Sequence, residues 1–298
     1  VETKECPEQV LNESKGYSLL AGGKRLRPIL IIAAYSLFKN DIEKCYKHAV
    51  AIEMVHTFSL IHDDLPAIDN DDYRRGMLTT HKKYGHAMGV LSGDALLNYA
   101  FEIASEAVCE AKNMAASAKA MKVLSRKAGA YGMIGGQVVD VNLSGSGATK
   151  EQLDFIYENK TSALIEAAFV VGALLSGAND EQISLVEKAA WNIGMAFQIQ
   201  DDILDVIGDA EVIGKPVLSD EKNEKTTYVS LYGIDGAKKY VKDDKSHLRQ
   251  FQFKVNGTDK EVKLWTIEGE DADFFQGKIR LRPALRPDTG SLCNRGSG

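Results

Sequence analysis

Five aspartates and two arginines crowd the stretch Asp63-Asp64-Leu65-Pro66-Ala67-Ile68-Asp69-Asn70-Asp71-Asp72-Tyr73-Arg74-Arg75. Carboxylates packed this densely repel one another, and unless they stand in water a divalent cation is the usual remedy. Oxygen-only donors favour a hard ion such as Mg²⁺, which takes a few carboxylates and completes its shell with substrate phosphates. Pro66 has no N–H and ends the preceding helix, tipping Asp63 and Asp69 toward a common point. Arg74 and Arg75 then offer forked donors suited to phosphate. An isolated Asp-Asp pair more often marks a solvated helix end, so other segments must decide between the two.

Gln198-Ile199-Gln200-Asp201-Asp202-Ile203-Leu204-Asp205 repeats the device, with Asp201 and Asp205 four apart on one helix face. Two acid-bearing apolar helices suggest two walls of one metal-filled cavity. The basic turn Gly22-Gly23-Lys24-Arg25-Leu26-Arg27-Pro28 lets backbone approach a ligand, and Lys24 and Arg27 can clamp a phosphate. Alone, such a turn also reads as solvated. Lys160-Thr161 enters the apolar run from Ala163 to Leu175, where a lysine is costly unless it finds an anion. In this order, over residues 16–247, the motifs resemble the trans-isoprenyl diphosphate synthases. The likeness is to the short-chain bacterial group that makes farnesyl or geranylgeranyl diphosphate.

That resemblance implies a fold and a division of labour. The fold is an all-α, isoprenoid-synthase-like helical bundle around a central cavity. Asp63, Asp69 and Asp201 would hold Mg²⁺, with Asp64 and Asp205 as outer ligands. Arg74, Lys160, Thr161, Gln198, Lys215 and Lys225 would grip an allylic diphosphate, and the two last lysines keep the family's ten-residue spacing. Lys24, Arg27, His56 and Arg75 would hold isopentenyl diphosphate, and Gln137 and Asp140 would line the cavity. The catalytic set is Asp63, Asp69, Arg74, Lys160, Asp201 and Lys215. Phe58, five residues before Asp63 on the same helix, would floor the cavity and limit the product to farnesyl diphosphate. The family's homodimer is implied too. Geranylgeranyl synthesis, a terpene cyclase and a non-catalytic subunit of the same fold are the alternatives; the second aspartate cluster and the basic turn speak against a cyclase.

The elements that must position these groups are helices. Val50, Met54, Val55, Phe58 and Ile61 form a helix-spaced stripe leading to Asp63. Thr149 with Gln152 three residues on has the form of a capping box, and Pro28 suits a first helical position. The 298 residues suffice for a substantial core. Net charge is −6, from 36 basic and 42 acidic residues, which argues against a nucleic-acid partner. The apolar run from Pro28 to Phe38 is too short to span a bilayer. Four scattered cysteines read as free thiols and, with no visible signal peptide, point to the cytoplasm.

The pattern changes after residue 247. Phe251 to Val255 and Val262 to Leu264 alternate apolar and polar around Asn256-Gly257, a hairpin signal. Residues 280–298 are rich in Arg, Gly and Pro and read as disordered. Residues 1–247 are therefore read as the synthase domain and 248–298 as a tail foreign to it.

Overall fold

The computed structural model describes residues 8–208, 225–243, 251–254 and 261–264. All lie within one compact unit, Val1–Thr266. As expected, the architecture is all-α. The helices are α1 (Gln9–Leu19), α2 (Leu26–Ser36), α3 (Tyr46–Asp63), α4 (Thr80–Tyr84), α5 (His86–Glu110), α6 (Met114–Ala128), α7 (Met133–Leu143), α8 (Lys150–Ile156), α9 (Ala163–Ser176), α10 (Asp180–Ile207) and α11 (Tyr228–Asp243). Two small hairpins accompany them: β1 (Tyr73–Arg74) with β2 (Met77–Leu78), and β3 (Phe251–Lys254) with β4 (Glu261–Leu264).

The core is assembled around α9. Ala163 to Ala173 is buried without a break, the mark of a helix apolar on every side. It packs against α2, α6 and α10, while α3 lies along α5 and α11 docks on α10. Ile31, Tyr35, Ile52, Val55, Leu96, Leu164 and Ile165 fill the space between. The Thr149–Gln152 capping box forms at the start of α8, and Asn179 with Gln182 builds a second at the start of α10. Pro28 is the third residue of α2 rather than the first. The reason it is tolerated is unchanged, since no N–H in the first turn has an intrahelical partner. Tyr228, Tyr232 and Tyr240 of α11 stack with centroids 5.0–5.7 Å apart, and they border a cavity of about 620 Å³ against Trp191 and Met195 of α10.

Two local features depart from the sequence reading. Lys160 and Thr161 sit not in regular α-helix but in a π-helical turn, Tyr157–Ser162, between α8 and α9. Arg74 and Arg75 belong to the β1–β2 hairpin, whose two turn residues Arg75 and Gly76 both have positive φ (54° and 75°). That is the mirror-image turn that suits a two-residue hairpin, built here with an arginine in the left-handed region. The alternating runs in the tail do pair, antiparallel, with Phe251 opposite Leu264 and Lys254 opposite Glu261. Their connecting Asn256-Gly257, the Lys215 loop and residues 280–298 lie outside the described residues.

Candidate active site

Helix α3 stops at Asp63, with Asp64 as its cap, two residues before Pro66. The chain then folds back on itself, and the Asp69 N–H donates to the Asp63 carbonyl at 2.9 Å. That backbone bond brings Asp63 and Asp69 together across the turn. Burial pushes the Asp63 carboxyl up; Lys160 pulls it down and Asp69 adds to the upward push. Asp64, only 3% exposed, is committed elsewhere. Arg74 Nε donates to both its oxygens, at 2.7 and 2.9 Å, and Nη2 lies 2.5 Å from Oδ1. Asp64 was expected as an outer metal ligand and Arg74 as a phosphate donor. Instead they hold each other, and burial lifts Asp64 to about 6 despite the arginine.

The lysines come from the far side of the chain. The π-turn is clamped between two helices: a Cβ at Gly136 of α7 would lie 2.3 Å from the Lys160 backbone N, and one at Gly194 of α10 would lie 2.5 Å from the Ser162 side chain. Close approach, not flexibility, is what these glycines supply. So held, Lys160 donates to Asp140 of α7 at 2.5 Å. Lys225, three residues before α11, donates to Asp69 at 2.9 Å and lies 3.8 Å from Asp140. Asp63, Asp69, Asp140, Lys160 and Lys225 thus form an acid–base lattice drawn from separate segments.

Helix α10 joins this lattice through Gln198. The Thr161 hydroxyl donates to Gln198 Oε1 at 2.6 Å, beside Lys160 and three residues before Asp201. Asp201 is half-buried and Asp205 is buried. Gln198 Nε2 donates in turn to Asp202 at 3.2 Å. Among the described residues no three carboxylates or imidazoles converge tightly enough to hold an ion unaided. The donor set still suits Mg²⁺. It is all-oxygen and centred on a carboxyl, Asp63, whose burial disfavours its charge, and Mg²⁺ commonly takes only one or two carboxylates and completes its shell from phosphates and water.

The second wall is basic. Arg25, left-handed at φ 50°, caps α2 and donates to Glu53 of α3 at 2.5 Å and to the Leu19 carbonyl at 2.7 Å. Arg75 donates to the Gly22 carbonyl at 2.5 Å. What the glycine pair admits is this guanidinium, since a Cβ at Gly23 would stand 2.7 Å from it. Arg27 is lowered to about 10 by burial, against the pull of Glu53 and with a smaller push from Arg75, and its Nε has no hydrogen-bond partner among the described residues. His56 is pushed well below its usual range by burial and then by Arg27, Arg75, Arg74 and Arg25. Lys24 is exposed at the rim. The β1–β2 hairpin bridges the walls, with Arg74 on Asp64 and Arg75 on Gly22. Phe58 is buried below, edge-on to His62 at 5.7 Å.

The polyprenyl synthetase family description matches residues 8–263 of the sequence. This chain belongs to the polyprenyl synthetase family. It is 48% identical over 260 residues to a dimethylallyltranstransferase of Fischerella ambigua, covering 85% of this chain and 74% of that one. It is 42% identical over 253 residues to a farnesyl diphosphate synthase of Geobacillus stearothermophilus, covering 84% and 85%. It is 45% identical over 249 residues to a geranylgeranyl diphosphate synthase of Cyanophora paradoxa, covering 78% and 82%. A solved Helicobacter pylori geranyltransferase, complexed with magnesium and isoprenyl diphosphate, superposes with a TM-score of 0.73 at 36% identity over 79% of this chain and 78% of that one.

In this member of the family, motif and spacing alone do not single out Arg25, Glu53 and Asp202. Arg25 lies inside the basic turn, and no spacing rule separates it from Arg27. Glu53 is an acid in an otherwise apolar helical stripe, which is the signal that could have exposed it.

Proposed function

We propose that this chain condenses dimethylallyl or geranyl diphosphate with isopentenyl diphosphate, releases pyrophosphate, and makes farnesyl diphosphate as its main product. The observation that carries the reading is the pairing of two unlike walls: a lattice of interleaved carboxylates and lysines beside a cluster of arginines around one glutamate. A metal–diphosphate complex suits the first and a bare diphosphate suits the second.

In this reading the allylic C–O bond breaks and its electron pair leaves with pyrophosphate. The alkene of isopentenyl diphosphate attacks the resulting cation, and a proton is then lost to the departing pyrophosphate. Mg²⁺, held by Asp63, Asp69 and Asp201 with Asp205 behind them, would supply Lewis-acid charge to the leaving group, while Asp64 acts through Arg74. Lys160, Lys225 and Lys215 contribute fixed positive charge there, Lys160 and Lys225 by exchanging their aspartate partners for phosphate oxygens. Thr161 and Gln198 orient the same diphosphate. Arg27, Arg75, Lys24 and His56 hold isopentenyl diphosphate so that its alkene faces the cation. Arg74, pinned by Asp64, presents what donor capacity remains toward the metal side. The buried Phe58 supports a short product, because an aromatic ring deep on α3 leaves little room beneath the allylic chain.

The homodimer belongs to the proposal. Ile134, Val138 and Val141 form an exposed apolar stripe on α7, and Val90, Leu91 and Tyr99 are exposed on α5. No helix among the described residues is long and apolar enough to cross a membrane. Cys45 and Cys109 are free thiols, which fits a cytoplasmic enzyme. The division into a synthase domain over residues 1–247 and a separate tail is likewise retained as a proposal.

The test is an incubation with Mg²⁺, isopentenyl diphosphate and geranyl diphosphate, followed by product analysis. A C15 alcohol after dephosphorylation is expected. A C20 product would overturn the product assignment and leave the chemistry standing. Cyclic hydrocarbons formed without isopentenyl diphosphate, or no turnover by a folded protein, would overturn the reaction itself.

A further inference from the structure

Asp202 stands between two aspartates read as metal ligands, and both oxygens of its carboxylate accept hydrogen bonds from protein donors. It is 2% exposed. Oδ2 accepts the Tyr157 hydroxyl and, at 3.0 Å, the backbone N–H of Tyr228; Oδ1 accepts Gln198 Nε2 at 3.2 Å. Those three donors belong to three different elements. Tyr157 is the first residue of the π-turn that carries Lys160 and Thr161. Gln198 lies one turn earlier on α10 and accepts the Thr161 hydroxyl. Tyr228 is the first residue of α11, three residues after Lys225. A carboxylate accepting a backbone N–H at a helix start also complements the positive end of that helix.

We infer that Asp202 is a positioning residue: it fastens the π-turn and the start of α11 to α10, and so fixes the spacing between Lys160 and Lys225. Both lysines meet Asp140, and Lys225 meets Asp69, only while those two elements are held at this separation. The catalytic consequence rests on the reaction proposed above. The mechanical part does not.

Three variants separate this role from the others open to an aspartate here. Asp202→Ala removes these three acceptor contacts. Asp202→Asn keeps them: its carbonyl takes the place of Oδ2, its amide faces Gln198, and the Gln198 amide flips so that Thr161 becomes the acceptor. Tyr157→Phe removes one donor and leaves the carboxylate charge in place. Hydrogen exchange on the metal-free, full-length protein should show the segment around residues 225–232 exchanging about tenfold faster in Asp202→Ala, with Asp202→Asn near wild type and Tyr157→Phe between them. Unchanged exchange in Asp202→Ala overturns the inference whatever the enzyme catalyses. In the assay, KM for the allylic diphosphate should rise about tenfold in Asp202→Ala while KM for isopentenyl diphosphate stays within about twofold, and Asp202→Asn should restore it. A raised Mg²⁺ requirement shared by Ala and Asn would mark Asp202 as a metal ligand and overturn the inference. Equal losses at both substrates with a lowered melting temperature would reduce it to a general stabilising contact, and would also overturn it.

Discussion

On one side of the β1–β2 hairpin, Arg25, Arg27, Arg75 and His56 gather around Glu53; on the other, Asp63, Asp69 and Asp140 interleave with Lys160 and Lys225. The buried groups of the two walls are pushed by different neighbours. In the basic wall burial first, and then the neighbouring arginines, push His56 down. In the mixed wall burial and Asp69 push Asp63 up, against the pull of Lys160. Arginines outnumber carboxylates in the first wall, whereas in the second the described lysines are paired with carboxylates. In the proposed reading the first wall would take a bare diphosphate and the second a diphosphate bound with a metal ion. The two sites would then differ in metal dependence, so that one diphosphate is held intact while the other ionises.

The comparison breaks most sharply at Asp63. Asp63→Asn should lower kcat by about a thousandfold while leaving KM for isopentenyl diphosphate within about threefold. A comparable rise in that KM would mean the walls are one site. The converse test is Arg27→Ala, which should raise KM for isopentenyl diphosphate by about a hundredfold, the usual scale for removing a buried charged partner. Binding of a non-ionising allylic analogue with Mg²⁺, followed by calorimetry, should barely move. Gly136→Ala acts on the mixed wall from behind. With a Cβ 2.3 Å from the Lys160 backbone N, the π-turn must shift or α7 must give. Turnover should fall about tenfold with a drop in melting temperature, on the scale of ordinary overpacking. Undiminished activity would show that Lys160 tolerates displacement.

Much of this arrangement was legible in the chain. Helical periodicity gave α3 and α10, the Thr149–Gln152 pair gave a capping box, and Pro66 marked where α3 must end, because each depends on residues within one or two turns of one another. What escaped depends on distant partners or unusual backbone. Nothing local tells Asp64 that its carboxylate will go to Arg74 across a hairpin, and Arg75-Gly76 lacks the asparagine or aspartate that commonly announces such a turn. The π-turn exists because Gly136 and Gly194 admit it from two other helices. Asp202 looked like one more member of an acidic motif until Tyr157, 45 residues away, was seen to claim it.

The smallest effect concerns His56 and tests the basic wall without any turnover. Its folded pKa is depressed, so between that value and the ordinary imidazole range the unfolded chain binds the proton that the folded chain refuses. Stability should therefore fall as pH drops below about 6.5, and hold steady above it as far as this residue is concerned. His56→Gln keeps a neutral donor and removes the titration, so thermal melts between pH 7 and pH 5, on a scale of about one unit of imidazole titration either side of 6.5, should show a flatter profile in the variant. Inorganic pyrophosphate added without metal places an anion among the arginines and should flatten the wild-type profile in the same direction. If pyrophosphate alone leaves that profile unchanged, while pyrophosphate with Mg²⁺ alters it, then the basic wall is as metal-dependent as its neighbour and the contrast between them is lost.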